Sequence, residues 1–226
     1  MAKVTKSEAE IRQQSVAEAV SKSDQFFKQY GKTIYWSILG ILVIALIILA
    51  WNRFVLQPKK AQATDQMAQA ERWFQAGEYE LALNGDDNDP GFEEIIDRYG
   101  AKGGESVYLY AGIASLQTGA YEDAISYLKK YKGDDPIMLA RAQACIGDAY
   151  VELNDYGTAT NWFAKAAKTS DNALSAAYLL KAGIAAEADG KPQQALGFYQ
   201  EIKDLWGNAP EAIEIDKYIS RIQIAE

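Results

Sequence analysis

Histidine is absent from the 226-residue sequence, and cysteine occurs once, at Cys145. The absence of histidine excludes serine–histidine and cysteine–histidine catalytic pairs, imidazole proton transfer and most zinc sites. A single cysteine excludes an intramolecular disulfide and every CxxC metal or redox motif. We therefore expect a protein that is not an enzyme and uses no cofactor or metal, and we interpret Cys145 as a small buried apolar residue.

Two short segments resemble ligand-binding loops only in part. Residues 86–91, DDNDPG, begin like an EF-hand calcium loop, but Pro90 replaces a ligand and Asp97 stands where a bidentate glutamate belongs. Residues 100–104, GAKGG, follow no predicted strand and lack the GK[ST] sequence of a phosphate-binding loop. We interpret the first segment as a solvated turn and assign neither metal nor phosphate to either.

Basic residues are scarce except near the N-terminus. Residues 1–60 carry nine Lys+Arg and four Asp+Glu, a net charge of +5, whereas residues 61–226 carry 14 and 27, a net charge of −13. The overall net charge of −8 argues against nucleic acid as a partner. The opposite charges of the two parts indicate that they occupy two environments.

A long uncharged run lies near the boundary between these two parts. Twenty residues between Lys32 and Arg53 carry no charge, TIYWSILGILVIALIILAWN. As a helix they would reach about 30 Å, which matches the hydrocarbon core of a bilayer. The run is longer than the apolar core of a cleaved signal peptide, and no small-residue cleavage site follows it. The sequence therefore predicts a transmembrane helix over residues 33–53, surrounded by membrane lipid, after a tail over residues 1–32.

The orientation of this helix is poorly determined by charge, because basic residues flank both of its ends. We predict that the tail is cytoplasmic. A capping-box pattern at residues 7–10 in the tail fits a short helix near the membrane surface, and a solvated tail is an equal alternative.

The remaining sequence is periodic. Alanines recur in similar short segments at spacings of 42, 35 and 36 residues, at Ala82, Ala124, Ala159 and Ala195. The last two spacings are close to the tetratricopeptide repeat (TPR), a pair of antiparallel helices about 34 residues long. A glycine lies twelve residues before each of the last three alanines and a large residue four residues after it, so that small and large side chains meet between paired helices. These residues are Gly112, Gly147 and Gly183 and then Leu128, Phe163 and Tyr199.

We predict an all-α fold with an N-terminal transmembrane helix, a TPR α-solenoid and a C-terminal capping helix. A linker that begins Pro58-Lys59-Lys60 and a degenerate first repeat occupy residues 54–104, and three repeats occupy residues 105–208. The capping helix occupies residues 209–226, since a solenoid needs a terminal element with a polar outer side. Its predicted apolar side consists of Ile213, Ile215, Tyr218, Ile219 and Ile222.

A partner-binding groove is expected on the first helices of the three repeats. In TPR proteins, positions 2, 5, 9 and 12 of each first helix line the concave face. At these positions we assign the groove to Leu109, Ile113, Leu116, Arg141, Asp148, Val151, Leu180, Ile184 and Glu187. The groove lacks the Lys and Asn residues that clamp C-terminal carboxylates, and its apolar character suits an amphipathic helix or an extended apolar segment. An alternative stays open, in which these residues pack on the C-terminal helix or on a neighbouring repeat.

The arrangement as a whole resembles a known family. Its most distinctive stretches are SKSDQFFKQYGKTI before the apolar run, ALNGDDNDPGFEEIIDRYG, and SVYLYAGIASLQTGAYEDAISYLKKY. Together they resemble the YfgM-like ancillary subunits of the bacterial SecYEG translocon, in the form found in Bacteroidetes. The resemblance implies a single-pass inner-membrane protein with a cytoplasmic N-terminus and periplasmic repeats. The implied partners are SecYEG and periplasmic chaperones or emerging chains, and no catalytic residue is implied. The alternative function is a cell-envelope or division scaffold whose acidic surface binds a basic partner.

Overall fold

The structure is a computed structural model that describes residues 8–100 and 104–224, with the backbone alone for residues 8–27 and 56–61. The chain divides into two compact units, Met1–Gln57 and Pro58–Glu226. All regular elements of the described residues are helical, which confirms the predicted all-α class.

The first unit is dominated by one long helix. Helix α1 spans Glu8–Trp51 and is followed by a π-helical turn, Asn52–Leu56. Within these elements, Lys28–Val55 is long and apolar enough to cross a membrane, and none of its most apolar stretch is buried by protein. Such a segment is compatible with a single-pass anchor or with a signal sequence. Of the predicted tail, residues 8–32 are helical and continuous with the apolar stretch, and residues 1–7 lie outside the described residues.

The second unit is a series of helix pairs. Helices α2 (Gln57–Ala76) and α3 (Tyr79–Asn84) form the degenerate first pair, and the short helix α4 (Phe92–Tyr99) follows it. The next pairs are α5 (Ser106–Gln117) with α6 (Tyr121–Lys130), α7 (Pro136–Glu152) with α8 (Tyr156–Ser170), and α9 (Leu174–Ala188) with α10 (Pro192–Leu205). A 3₁₀ helix, Pro210–Glu214, and helix α11 (Ile215–Ile224) complete the described unit.

Two details of the first pair bear on the predicted start of the linker and on the 42-residue spacing between Ala82 and Ala124. The stretch predicted as the start of a linker belongs to the first turn of α2, which directly follows the π-helical turn Asn52–Leu56. The 42-residue spacing arises because α4 is inserted between the first two pairs. Its residues Phe92 and Ile95 are fully buried, and the Phe92 ring stacks on Tyr110 at 5.7 Å between centroids.

The predicted contact between small and large residues is present in all three complete pairs. A Cβ atom placed on any of the three glycines would lie 2.2–2.6 Å from a side-chain carbon of the second helix, closer than real Cβ contacts. The facing alanines Ala124, Ala159 and Ala195 are also fully buried. The glycines therefore allow the paired helices to approach closely. The three contacts are Gly112 with Leu128, Gly147 with Phe163 and Gly183 with Tyr199.

Aspartate side chains cap the starts of helices α7 and α8. Pro136 is the first residue of α7, and the Asp135 carboxylate accepts hydrogen bonds from the backbone N–H groups of Ile137 and Met138 at 2.8 and 3.3 Å. Asp155 caps α8 by accepting from the Thr158 N–H at 3.1 Å. Such caps satisfy N–H groups that have no partner within the helix.

Candidate protein-interaction site

The acidic turn over residues 86–91 is held by its own backbone. Asp86 Oδ1 accepts hydrogen bonds from the N–H groups of Asn88 and Asp89, both at 2.8 Å, and these bonds hold the pKa of Asp86 below its ordinary value. A Cβ atom on Gly91 would lie 2.1 Å from the carbonyl oxygen of Leu83, so the chain needs glycine at this position. The geometry agrees with the interpretation of this segment as a solvated turn.

Cys145 lies beside the core between the second and third repeats and is half-buried. Burial is the main cause that raises the pKa of its thiol to about 11; the Asp148 carboxylate also raises this pKa, whereas Arg141 and Lys181 lower it. The thiol is therefore protonated at neutral pH. This agrees with its interpretation as a small apolar residue.

The predicted groove residues of the second repeat lie largely inside the unit. Leu109 and Ile113 are only 6% and 8% exposed, and they pack in a cluster with Ile125 and Ile146. Leu116 is half-buried against the same cluster. Their apolar surface joins α5 to its neighbours, so little of it remains for a partner.

Two groove residues of the fourth repeat are in contact with the C-terminal part of the chain. Glu187 Oε1 accepts hydrogen bonds from the Tyr199 hydroxyl and from Arg221 Nη2, both at 2.6 Å. Burial and the Glu187 carboxylate raise the pKa of Tyr199 well above its ordinary value. Leu180 is half-buried against the cluster that contains Ile215 of α11. The contacts of Glu187 with α10 and α11 account for the acidic position, and packing against this cluster accounts for the apolar position at Leu180.

The remaining groove residues lie on the first helices of the third and fourth repeats. Arg141 is exposed, Asp148 and Val151 are half-buried, and Ile184 is 47% exposed although it is a large apolar residue. Asp148, Val151 and Ile184 line one recess of about 170 Å³, which we call the Ile184 pocket. Its other lining residues are Tyr156, Phe163, Lys181, Ala185 and Ala188.

An ion pair forms one side of the Ile184 pocket. Lys181 Nζ lies 2.8 and 2.9 Å from the two oxygens of Asp148 and 5.5 Å from the centroid of the Phe163 ring. Both charged side chains are partly exposed, at 47% and 33%, so the pair contributes at most about 1 kcal/mol to stability. The ion pair places polar groups beside the apolar lining of the pocket. Such an arrangement can orient a segment that binds there.

Sequence reasoning missed Lys181, Tyr156 and Phe163 as residues of this pocket. Lys181 lies 33 residues after Asp148, about one helical turn short of the 36-residue interval between Gly147 and Gly183, so opposite charges near this interval were a detectable signal. Phe163 was assigned only to the contact with Gly147, and its second role depends on how adjacent repeats stack.

The Ile184 pocket has the size and chemistry to accept one apolar side chain. A cavity of ~150 Å³ lined by apolar residues can bind benzene, so a recess of about 170 Å³ has room for one aromatic or branched side chain. Because the recess is open to solvent, the side chain of a partner can enter it without opening the core.

Comparisons with known proteins support the fold. No protein-family model matches the chain, and no curated protein matches it. Among solved structures, it is similar to the nearly identical TPR-like repeats of a kinesin light chain from Podospora anserina, with a TM-score of 0.54 and 15% identity. The match covers 74% of this chain and 87% of that one. The second unit is therefore a TPR-like α-solenoid.

Proposed function

We propose that this chain is a membrane-anchored interaction module associated with the SecYEG translocon, where it assists secreted and envelope proteins at the periplasmic exit. The observation that carries the proposal is the half-exposed Ile184 in an apolar pocket between two repeats. The apolar stretch Lys28–Val55 supplies the anchor, and the family resemblance supplies the translocon as the partner. In this proposal the repeats are periplasmic and bind chaperones or emerging chains.

The mechanism follows from tethering. A membrane anchor confines the repeats to the neighbourhood of the translocon, which raises their effective concentration near an emerging chain. The Ile184 pocket then holds one apolar side chain of that segment, and the ion pair of Asp148 and Lys181 orients the adjacent backbone. A small recess binds weakly, so the segment is released as the chain folds or passes to a chaperone.

The test uses a photo-crosslinking amino acid in place of Ile184 in the full chain, in cells that secrete an outer-membrane protein. We expect adducts with SecYEG or the emerging chain. The matched control carries the same amino acid at Ile213, which is 84% exposed on the 3₁₀ helix, outside the pocket.

In a companion measurement Ile184→Asp should reduce capture of the emerging chain about tenfold, because a carboxylate cannot enter an apolar recess without losing hydration. Ile213→Asp should change it less than about twofold.

The second candidate function, a cell-envelope or division scaffold, is favoured by the net charge of −13 on residues 61–226. Here a basic partner binds the acidic surface and the pocket plays no part. Binding of this kind weakens steeply as salt increases, whereas binding in an apolar pocket does not. Equal adducts at Ile184 and Ile213, together with salt-sensitive capture of a basic partner, would replace the translocon proposal with the scaffold.

A further inference from the structure

A second recess lies between the second helices of two neighbouring repeats. It has a volume of about 630 Å³ and is bounded by α6, by the connection to α7, by α7 and by α8. We call it the lysine cleft and define it by Lys129, Lys132, Gln143, Trp162 and Lys165, all of which line it. Its volume falls in the range of sites that bind small ligands or short peptide segments.

The lysine cleft and the Ile184 pocket lie on opposite sides of α7. Ala142, Gln143 and Ile146 of α7 line the cleft, whereas Asp148 and Val151 line the pocket. With 3.6 residues per turn, these two sets project from α7 about half a turn apart. A partner in the cleft therefore leaves the pocket free, and the two sites can be tested separately.

Positive charge converges on this cleft in an otherwise acidic unit. Lys129 Nζ and Lys165 Nζ lie 5.9 and 4.7 Å from the centroid of the same Trp162 ring, and Lys132 also lines the recess. Among the described residues, no carboxylate lies within 4.0 Å of these three ammonium groups, and Asp134 is the one acidic residue of the lining. Cations held close together without a counter-ion favour an anionic ligand.

The floor of the cleft is preorganised and partly apolar. Gln143, only 5% exposed, accepts a hydrogen bond from Thr169 Oγ1 at 2.9 Å, and Lys129 Nζ donates to the Tyr150 hydroxyl at 3.2 Å. Leu139 and Ile146 add apolar surface beside Trp162. A ligand that fits this lining combines carboxylates for the lysines with an apolar side chain for the floor.

We propose that the lysine cleft binds an acidic peptide segment of a partner protein, in which glutamate or aspartate residues flank an apolar residue. The three lysines receive the carboxylates, and the apolar residue lies against Trp162. Charge complementarity carries the assignment, because three of the 14 basic residues of residues 61–226 line one recess, and none of the described carboxylates lies within 4.0 Å of their ammonium groups. This site is independent of the Ile184 pocket and of the proposed role at the translocon.

The test measures fluorescence anisotropy of a labelled peptide that alternates glutamate with leucine, added to the full chain in zwitterionic detergent. The variant is Lys132→Glu with Lys165→Glu, which leaves the Lys129–Tyr150 hydrogen bond in place. The matched control is Lys130→Glu with Lys217→Glu, which changes the net charge equally but involves residues that do not line the cleft. We expect the cleft variant to weaken peptide binding by about tenfold or more, and the control to weaken it less than about twofold. Circular dichroism confirms that both variants are folded.

Four outcomes would overturn the proposal. Equal weakening in both variants would show that overall charge alone attracts the peptide. If a peptide with glutamine in place of glutamate binds as tightly as the acidic peptide, the cleft recognises the apolar residues and not the carboxylates. Binding of anionic phospholipid vesicles but not of the peptide, lost in the cleft variant, would assign the cleft to lipid headgroups. Self-association that the cleft variant abolishes, without peptide binding, would assign it to a second copy of the chain. Because Ile184→Asp leaves the cleft intact, failure here is distinguishable from failure of the translocon proposal.

Discussion

Three glycines set the separation between the paired helices at the scale of single residues. At Gly183 a methyl group would lie 2.2 Å from Cε1 of Tyr199, and this ring is fully buried and hydrogen-bonded to Glu187. Gly183→Ala should therefore lower the free energy of unfolding by about 1–3 kcal/mol, as overpacking does. Urea denaturation of the full chain, followed by circular dichroism, measures the change.

Gly197 supplies the matched control for this substitution. It lies within α10, and a Cβ atom there would meet no other atom within 4 Å. Gly197→Ala should raise the free energy of unfolding by roughly 0.5–1 kcal/mol, because alanine has less conformational freedom to lose in a helix. Changes of the same sign in both variants would contradict the steric role of Gly183.

A single residue of the acidic turn, Asp86, makes the stability of the fold depend on pH. Two backbone N–H groups lower the pKa of Asp86 in the folded state below its ordinary value of 3.8. A lowered folded-state pKa means that the ionised carboxylate stabilises the fold above the unfolded-state pKa, and that this stabilisation is lost as pH falls through the folded-state pKa. The wild type should therefore be more stable than Asp86→Asn at pH 7, and the difference should disappear in strong acid. Urea midpoints at both pH values measure it, and a difference that persists in strong acid would refute the assignment.

The C-terminal segment shows how the type of helix determines which residues are buried. Within the predicted apolar side, Ile215, Ile219 and Ile222 are buried, but Ile213 is 84% exposed. Residues 210–214 form a 3₁₀ helix, and its three residues per turn shift side chains out of phase with the α-helix that follows. The assignment of Ile213 to the apolar side was therefore wrong, and the other isoleucines were assigned correctly.

The contrast between the buried Ile215 and the exposed Ile213 predicts different effects of alanine substitution on stability. Ile215→Ala should lower the free energy of unfolding by about 2–5 kcal/mol, because Ile215 is 2% exposed in the cluster shared with α9 and α10. Ile213→Ala should change it by less than about 0.5 kcal/mol. Chemical denaturation of both variants measures the effects. Similar values would show that α11 does not stabilise the end of the solenoid.

At the scale of the whole molecule, the apolar stretch Lys28–Val55 predicts a membrane location for the chain. As an anchor, it should keep the intact 24.9 kDa chain in the membrane pellet after alkaline carbonate extraction. Val43→Arg with Ile47→Arg should release the chain, since each arginine at a membrane centre costs about 2.5–3.5 kcal/mol. Ile213→Arg, a substitution in the second unit, serves as the control. A shorter soluble product of the wild type would identify a signal sequence instead.

The side of the membrane on which the repeats lie is tested by a separate protease experiment. Protease added to intact spheroplasts should digest residues 61–226 if the repeats are periplasmic. Protection until the membrane is broken would place them in the cytoplasm, and the translocon-exit proposal would then fail. The predicted fold, with its repeats and its apolar stretch, does not depend on which of these two results is obtained.

Local pattern was sufficient to predict most of the fold. The glycine and alanine spacing depends on contacts within one helix pair, and such contacts recur at a fixed interval along the sequence. The apolar stretch is likewise a continuous property of neighbouring residues. The candidate site was predicted only in part, because periodicity assigns positions 2, 5, 9 and 12 of every first helix to one face and does not distinguish the exposed Ile184 from the buried Ile113.

The sequence by itself determined the helical class, the number of complete repeats and the uncharged stretch near the N-terminus. Only the tertiary structure decided which groove residues remain accessible, because burial depends on how adjacent repeats and α11 stack on one another. The contacts of Glu187 with Tyr199 and Arg221 join residues up to 34 positions apart. The lysine cleft also exists only after α6, α7 and α8 have packed, since Lys165 of α8 lies 33 residues after Lys132 in the sequence.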